Sequence, residues 1–320
     1  LTTYNFENMN ANLIKIYRDI KSIKIQGATN VALATGKALK KYATDLQIQN
    51  KREFVKRIKE AGKYLVSARD TEPMADNVVE FIVCQLKRNK GAEIKEQRKV
   101  VRESVDYFFD LVEKNNNKII RSGQNLIKFG DKVFTHCHSS TVIKVLLAAK
   151  KDKKRFEVFQ TETRPLYQGH KTAKDLIKVG IKNTLVVDSA APYLISKISG
   201  DKFTIDKVLI GCDAIARDGS CVNKVGSFGL ALTAFLNKVP VYVVTQALKI
   251  NEDAKNLKAI RIEQRKAKEV WSKAPKNLKI YNPAFDKVPA ELIKGYICEF
   301  GIVSPENLIK KVKKDYSWLW

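Results

Sequence analysis

A chain of 320 residues with 44% hydrophobic content is ordinary globular protein, long enough for two domains or one large one. The formal net charge of +25 admits anionic small molecules, nucleic acid or plain solubility, and no apolar run approaches the ~20 residues of a bilayer span. The five cysteines (Cys84, Cys137, Cys212, Cys221, Cys298) form no CxxC pair, which argues against a zinc knuckle and for a reducing, cytoplasmic setting.

No apolar segment follows a basic stretch at the start, so no secretory signal is expected. Most lysines alternate with acidic and apolar residues along helical patterns, as in 51–63, and read as solvated faces. The cluster Lys150-Lys151-Asp152-Lys153-Lys154-Arg155 has Phe156 as its one aromatic neighbour, too few for a base-stacking platform. Solubility or heat adaptation ranks first as the use of the charge, phosphate-bearing ligands second, nucleic acid third.

From about Asn8 to Asn125 the pattern is helical. Leu13, Ile14, Tyr17, Ile20 and Ile23 keep helical spacing, and 31–46 repeats it. Phe54, Ile58, Ala61, Tyr64 and Leu65 make a third stripe, and two more helices are predicted over 76–90 and 92–114. Between the first two lies Ile25-Gln26-Gly27-Ala28-Thr29-Asn30, a tight turn that opens a helix. It reads as a helical hairpin or as helix-start amides facing an anion.

From Ile119 onward short β-branched runs alternate with helices. Strands are predicted at 132–134, 156–161, 184–187, 207–210, 241–245 and 278–281, with helices at 173–179, 191–198 and 228–237 between them. This alternation predicts an α/β fold: an N-terminal helical domain over 1–118, then a Rossmann-like parallel-sheet domain over 119–320, with the break near Asn115-Asn116-Asn117.

The anchor of the functional reading is Lys132-Val133-Phe134-Thr135-His136-Cys137-His138-Ser139-Ser140-Thr141. A buried strand breaks here into small polar residues at a helix start, the usual ligand crevice of such a sheet. The helix start favours a Cys137 thiolate. Other strand ends carry Thr161-Glu162-Thr163-Arg164-Pro165, Asp188-Ser189-Ala190, Gly211-Cys212-Asp213 and Thr245-Gln246 with Lys249 beyond. In a parallel sheet these ends share one edge, so Cys137, Arg164, Asp188 and Asp213 are expected to converge, Asp188 being equally readable as a cap. Asn223 and Lys224, before the helix 228–237, make a phosphate grip. No Walker, G-x-G-x-x-G or G-x-S-x-G pattern occurs.

With Gln168-Gly169, Asn223-Lys224-Val225-Gly226 and Asn282-Pro283-Ala284-Phe285-Asp286 added in order, these motifs resemble the superfamily of initiation factor 2B regulatory subunits and sugar-phosphate isomerases. Within it the chain is most similar to the archaeal ribose-1,5-bisphosphate isomerases. The resemblance implies conversion of ribose 1,5-bisphosphate to ribulose 1,5-bisphosphate, linking nucleotide breakdown to a carboxylase, by a homodimer or trimer of dimers without metal or cofactor. It places the catalytic pair on Cys137 and Asp213, and the substrate contacts on Gln26, Gly27, Ala28, Thr29, Arg69, Ser139, Ser140, Asn223, Lys224 and Lys249. Gln26 stands where the family usually has Arg, which removes a charge from one phosphate site. The alternatives are a methylthioribose-1-phosphate isomerase, which needs one phosphate site, and a regulatory subunit. Such subunits generally lack the Cys and Asp pair that this chain keeps.

Overall fold

The computed structural model describes residues 9–69, 71–196, 198, 200 and 203–319. The chain forms two compact units. The helical unit takes the chain up to Lys114, then Leu248–Asn251, then the segment from Lys313; the sheet unit takes Asn115–Ala247 and Glu252–Val312.

The helical unit holds α1 (Ala11–Lys21), α2 (Ala28–Asp45), α3 (Lys51–Val66), α4 (Pro73–Arg88) and the first part of α5 (Ile94–Leu126). Asn10 and Asn50 cap α1 and α3, their side-chain oxygens accepting from Leu13 N at 2.9 Å and Glu53 N at 3.0 Å. The predicted stripes are the buried faces: Leu13 and Ile20, then Phe54, Ile58, Ala61 and Leu65. Asn8, the expected start of the helical run, lies outside the described residues. Phe81 of α4 meets Trp318 edge-to-face with ring centres 5.0 Å apart. Asn77 Nδ2 donates to Leu248 O at 2.7 Å and Ile250 O at 2.8 Å, so one amide fixes the returning segment on either side of Lys249.

The sheet unit begins at Asn115, and α5 runs without a break for 33 residues through Asn115-Asn116-Asn117. Asparagine is a weak helix former, but these side chains find tertiary partners. Asn115 Nδ2 donates to Glu299 Oε1 at 3.1 Å, and Asn116 Oδ1 accepts from Gln246 Nε2 at 2.9 Å.

The sheet unit runs β1 (Lys132–His136), α6 (Ser140–Lys151), β2 (Glu157–Thr161), α7 (Gln168–Ile177), β3 (Lys182–Val186), α8 (Ala191–Ile195), β4 (Lys207–Ile210), β5 (Ala214–Ile215), β6 (Cys221–Lys224), α9 (Ser227–Leu236), β7 (Val241–Val244), α10 (Ala267–Val270), β8 (Phe285–Val288), β9 (Gly295–Cys298), β10 (Gly301–Val303) and the first part of α11 (Pro305–Asp315), up to Val312. Its main sheet has the order β10-β9-β7-β4-β1-β2-β3 and is parallel except for the β9–β10 pair. The core is the aliphatic layer of Val133, Val145, Leu146, Val158 and Leu209. A second sheet, β5-β6-β8, is antiparallel.

The sheet is the expected Rossmann-like one, with two departures. Residues 278–281 form no strand: Leu278 and Tyr281 are exposed, and the pairing belongs to the later Phe285–Val288. The helix expected over 191–198 stops at Ile195, and residue 197 lies outside the described residues. Among the described residues no helix is long and apolar enough to cross a membrane.

Candidate active site

The strand order reverses between β1 and β4: β2 and β3 lie beyond one, β7 and β9 beyond the other. In such sheets the ligand crevice opens at the carboxyl ends of the two strands flanking the reversal. Here those ends are His136-Cys137 and Ile210-Gly211.

Cys137 has φ 67°, in the left-handed region. A non-glycine residue there costs on the order of 1 kcal/mol, so its backbone must be held. Cys137 N donates to Thr163 Oγ1 at 3.0 Å, and its carbonyl accepts from Thr172 Oγ1 at 2.9 Å. Thr163 is also left-handed, at φ 62°. Its N–H donates to Asp188 Oδ1 at 2.7 Å, and that of Arg164 to Asp188 Oδ2 at 2.6 Å. Asp188 is therefore not the cap of its alternative reading but an anchor for the backbone of the Thr163-Arg164 loop. The Arg164 guanidinium is held by Val270 O, to which Nη2 donates at 2.9 Å, and lies over the Tyr167 ring.

The sequence favours a Cys137 thiolate, and the burial of the sulfur reverses this. Burial pushes the Cys137 thiol up to about 11; the Lys224 charge pulls it down, while Asp213 and Asp188 add to the rise. The helix-start effect is outweighed by desolvation.

Ser139 caps α6, its Oγ accepting from Val142 N at 3.4 Å, and Ser140 is exposed in the first turn. Gly211 lets β4 end against this cap: a Cβ there would stand 2.9 Å from Ser139 Oγ and 3.6 Å from Asn223 Oδ1. Asp213 follows, its N–H donating to Val222 O at 2.8 Å. Asn223 is buried and donates from Nδ2 to Ser227 Oγ at 2.8 Å. Lys224 carries its Nζ 5.0 Å from the centre of the Phe285 ring. The sheet unit thus gathers Cys137, Ser139, Asp213, Asn223 and Lys224 around one strand-end crevice.

Asp286 closes that side. Its Oδ2 accepts from Gly226 N at 2.7 Å and Phe228 N at 3.0 Å. Oδ1 is buried with no hydrogen-bond partner among the described residues. Burial pushes the Asp286 carboxyl up to about 6, against the pull of those amides and of Lys224.

The other candidates lie in the helical unit. Gly27, at φ 87°, precedes α2, with Gln26 exposed before it, Ala28 buried and Thr29 half-buried after it. Ile25 and Ala68, neighbours of Gln26 and Arg69, pack on one small apolar cluster with Val31 and Ala75. Arg69 is buried, with Nη2 3.1 Å from Glu72 Oε1. Lys249 is buried in the turn held by Asn77.

Thr161, Thr163, Thr172 and Asp286 were not singled out from sequence as functional residues. The run Thr161-Glu162-Thr163 was visible at its strand end, but a threonine that holds a strained neighbour has no local signature. Among the described residues no group of three or more His, Cys, Asp or Glu is placed to hold a metal ion.

The model of the initiation factor 2 subunit family matches residues 24–305. The chain is 37% identical over 305 residues to a protein of Methanocaldococcus jannaschii named ribose 1,5-bisphosphate isomerase, covering 95% of each. To the protein of that name from Thermococcus kodakarensis it is 33% identical, over 96% of this chain and 95% of the relative. A protein of Clostridium botulinum named 5-deoxyribose 1-phosphate isomerase is 32% identical, over 93% of this chain and 89% of that one. Among solved structures, the Pyrococcus horikoshii translation initiation factor eIF-2B superposes with a TM-score of 0.80 at 26% identity, covering 94% of this chain and all of that one (100%). The 5-methylthioribose 1-phosphate isomerase of the same organism shares the fold, with a TM-score of 0.75 at 24% identity over 94% of this chain and 87% of that one.

Proposed function

The chain belongs to the initiation factor 2 subunit family, and on that premise we propose that it is an aldose–ketose isomerase converting ribose 1,5-bisphosphate to ribulose 1,5-bisphosphate. The observation that carries this reading in the geometry is the Cys137 thiol, set at the sheet's reversal point within electrostatic reach of both Asp213 and Lys224. A sugar blocked at C1 by phosphate needs an acid and a base on one reacting face, and a cation for its phosphate.

The steps balance without an external reactant. Asp213 gives a proton to the ring oxygen as the bond from C1 to that oxygen breaks. Cys137 takes the proton from C2 and returns it to C1 of the resulting enol phosphate, while the C2 hydroxyl gives its proton to Asp213 and becomes the ketone, which restores both groups. Burial keeps the proton on the Cys137 sulfur; the chemistry needs the thiolate, and the charge of Lys224 lowers the cost of forming it. Ser139, Ser140, Asn223 and Lys224 hold phosphate in the sheet unit. The remaining substrate contacts fall on Gln26, Gly27, Ala28, Thr29, Arg69 and Lys249. The product is the acceptor of a carboxylase, so the reaction joins nucleotide breakdown to carbon fixation.

The oligomer we propose is a homodimer or trimer of dimers. Its support is the apolar face of α9, where Phe228, Leu232, Phe235 and Leu236 are exposed beside Tyr193. The five cysteines, none of which forms a disulfide among the described residues, suit a reducing cytoplasm.

The test is separate incubation with ribose 1,5-bisphosphate, methylthioribose 1-phosphate and ribose 5-phosphate, reading ketose formation. Ketose from the bisphosphate alone is expected. Turnover of methylthioribose 1-phosphate in preference would replace the substrate, and no turnover of any would move the reading to a regulatory subunit.

A further inference from the structure

Behind the Cys137 turn lies a line of hydrogen bonds that the chemistry above does not use. Cys137 N meets Thr163 Oγ1 at 3.0 Å, which meets Thr161 Oγ1 at 3.1 Å. Thr161 Oγ1 lies 2.6 Å from His136 Nδ1, and His136 Nε2 lies 2.8 Å from Val225 O. His136, Thr161 and Thr163 are all buried.

The two ends fix the direction of every bond. Val225 O only accepts, so His136 Nε2 carries the hydrogen. Burial keeps the imidazole neutral, so Nδ1 has a lone pair and Thr161 must donate to it. Thr161 has then spent its one hydrogen, and Thr163 must donate to Thr161. Thr163 Oγ1 is left as acceptor for the Cys137 amide, which is what that amide needs. Each hydrogen has one place.

The line joins two loops of unlike function. At one end is the left-handed Cys137. At the other is Val225, between Lys224 and Gly226. Gly226, at φ 107°, lies against the imidazole: a Cβ there would stand 3.0 Å from His136 Cε1. The ring is thus gripped by the loop that bears the cation. His136 Nδ1 and Nε2 are both occupied, by Thr161 Oγ1 and Val225 O and not by the sulfur, so a proton shuttle is not its role.

We propose that His136 is a positioning residue of the isomerase. Through Thr161 and Thr163 it holds the backbone of Cys137, and through Val225 it holds the Lys224 loop, so that sulfur and ammonium keep their mutual placement. The proposal rests on the isomerase reading for its kinetic arm only.

Thr161→Val keeps the shape and removes the donor to Nδ1; Thr161→Ser keeps the donor. With ribose 1,5-bisphosphate, Thr161→Val is expected to lower kcat about five- to tenfold, with KM within about twofold, the size of one lost hydrogen bond. Thr161→Ser is expected to restore kcat. The second arm needs no substrate: the rate of iodoacetamide alkylation at the Cys137 peptide, read by mass spectrometry, is expected to rise severalfold in Thr161→Val and not in Thr161→Ser. Thr163→Val, which removes the acceptor of the Cys137 amide, is the second variant in both arms and decides if Thr161→Val does not fold. Equal losses in the Val and Ser variants, or wild-type kcat and alkylation in the Val variants, would overturn the proposal. If the wild type does not turn over the bisphosphate, the isomerase reading fails and the alkylation arm still judges the positioning role.

Discussion

Lys224 Nζ stands 5.0 Å from the centre of the Phe285 ring, and its charge is the pull that lowers the Cys137 thiol against burial. An ammonium held over an aromatic face is placed without being neutralised. Its field therefore remains available to the sulfur and to an arriving phosphate.

The thiol itself gives the first expected result. Thiolate absorbance near the ultraviolet edge, taken as wild type minus Cys137→Ser, should show a titration near pH 11 in the ligand-free protein, since burial pushes the thiol up to about 11. Lys224→Met should move it higher, because the lowering charge is gone. A midpoint below about 8.5, the ordinary thiol value, would contradict the desolvated site. Cys137→Ser should be inactive with its fold intact, a serine hydroxyl being far too weak a base.

Asp213→Asn should be equally inactive on a ring-closed 1-phosphate. The amide keeps the shape and loses the proton that opens the ring. Product formation by this variant, measured with a coupled ketose assay, would move the acid elsewhere. Asp188 is a poor successor, since both its oxygens accept from the Thr163 and Arg164 amides.

Phosphate binding is tested by three substitutions. Lys224→Met should raise KM for ribose 1,5-bisphosphate about ten- to a hundredfold, the loss of a charge-assisted bond. Arg69→Met should do the same but also lower Tm, because it removes the buried ion pair with Glu72, whose side chain is 1% exposed. Gln26 is exposed, so Gln26→Arg disturbs no packing and should lower KM. Unchanged KM in both charge removals would eliminate the bisphosphate site as assigned.

Asp286 predicts a pH signature in stability. Its carboxyl is raised to about 6 from an ordinary value near 3.8, so the folded protein holds this proton more tightly than the unfolded chain. Below about pH 4 both states are protonated and the group contributes nothing to the difference. Above about pH 6 the burial cost of the charge is fully present, on the order of 1 kcal/mol per pKa unit. Asp286→Asn removes that cost, so the Tm of the variant minus that of the wild type should be larger at pH 8 than at pH 4. A difference independent of pH would mean that the carboxyl is not held up by burial.

The α9 face supplies the last expectation. Leu236 is 70% exposed and Phe235 54%. Phe235→Lys with Leu236→Asp should shift sedimentation toward the monomer without loss of helix content. A monomeric wild type, or an unchanged oligomer in the double variant, would remove this face from the assembly.

The sheet was legible because its central parallel strands are buried on both faces and read as short apolar runs, as in 132–134 and 207–210, whereas the edge strand Lys182–Val186 is largely exposed. The helices were legible through their stripes. The small antiparallel sheet was not, since Cys221–Lys224 pairs with Phe285–Val288 across some sixty residues and neither has a strong pattern of its own. At the site, Cys137, Ser139, Asp213, Asn223 and Lys224 could be named because parallel strands deliver their ends to one edge. The state of the thiol could not, because desolvation depends on what packs around it. The threonines that clamp Cys137 were hidden for the same reason: they lie 26 and 35 residues away.

The Asn77 amide joins residues 171 and 173 positions apart, and Trp318 closes on Phe81 from still farther along the chain. The helical unit is therefore the first to be synthesised and the last to be finished. On the ribosome its early helices wait with one flank open while the whole sheet unit is made, and contacts of such separation fold slowly. A nascent chain stalled before Leu248 would expose that flank, an exposure set by the chain's order rather than by its composition.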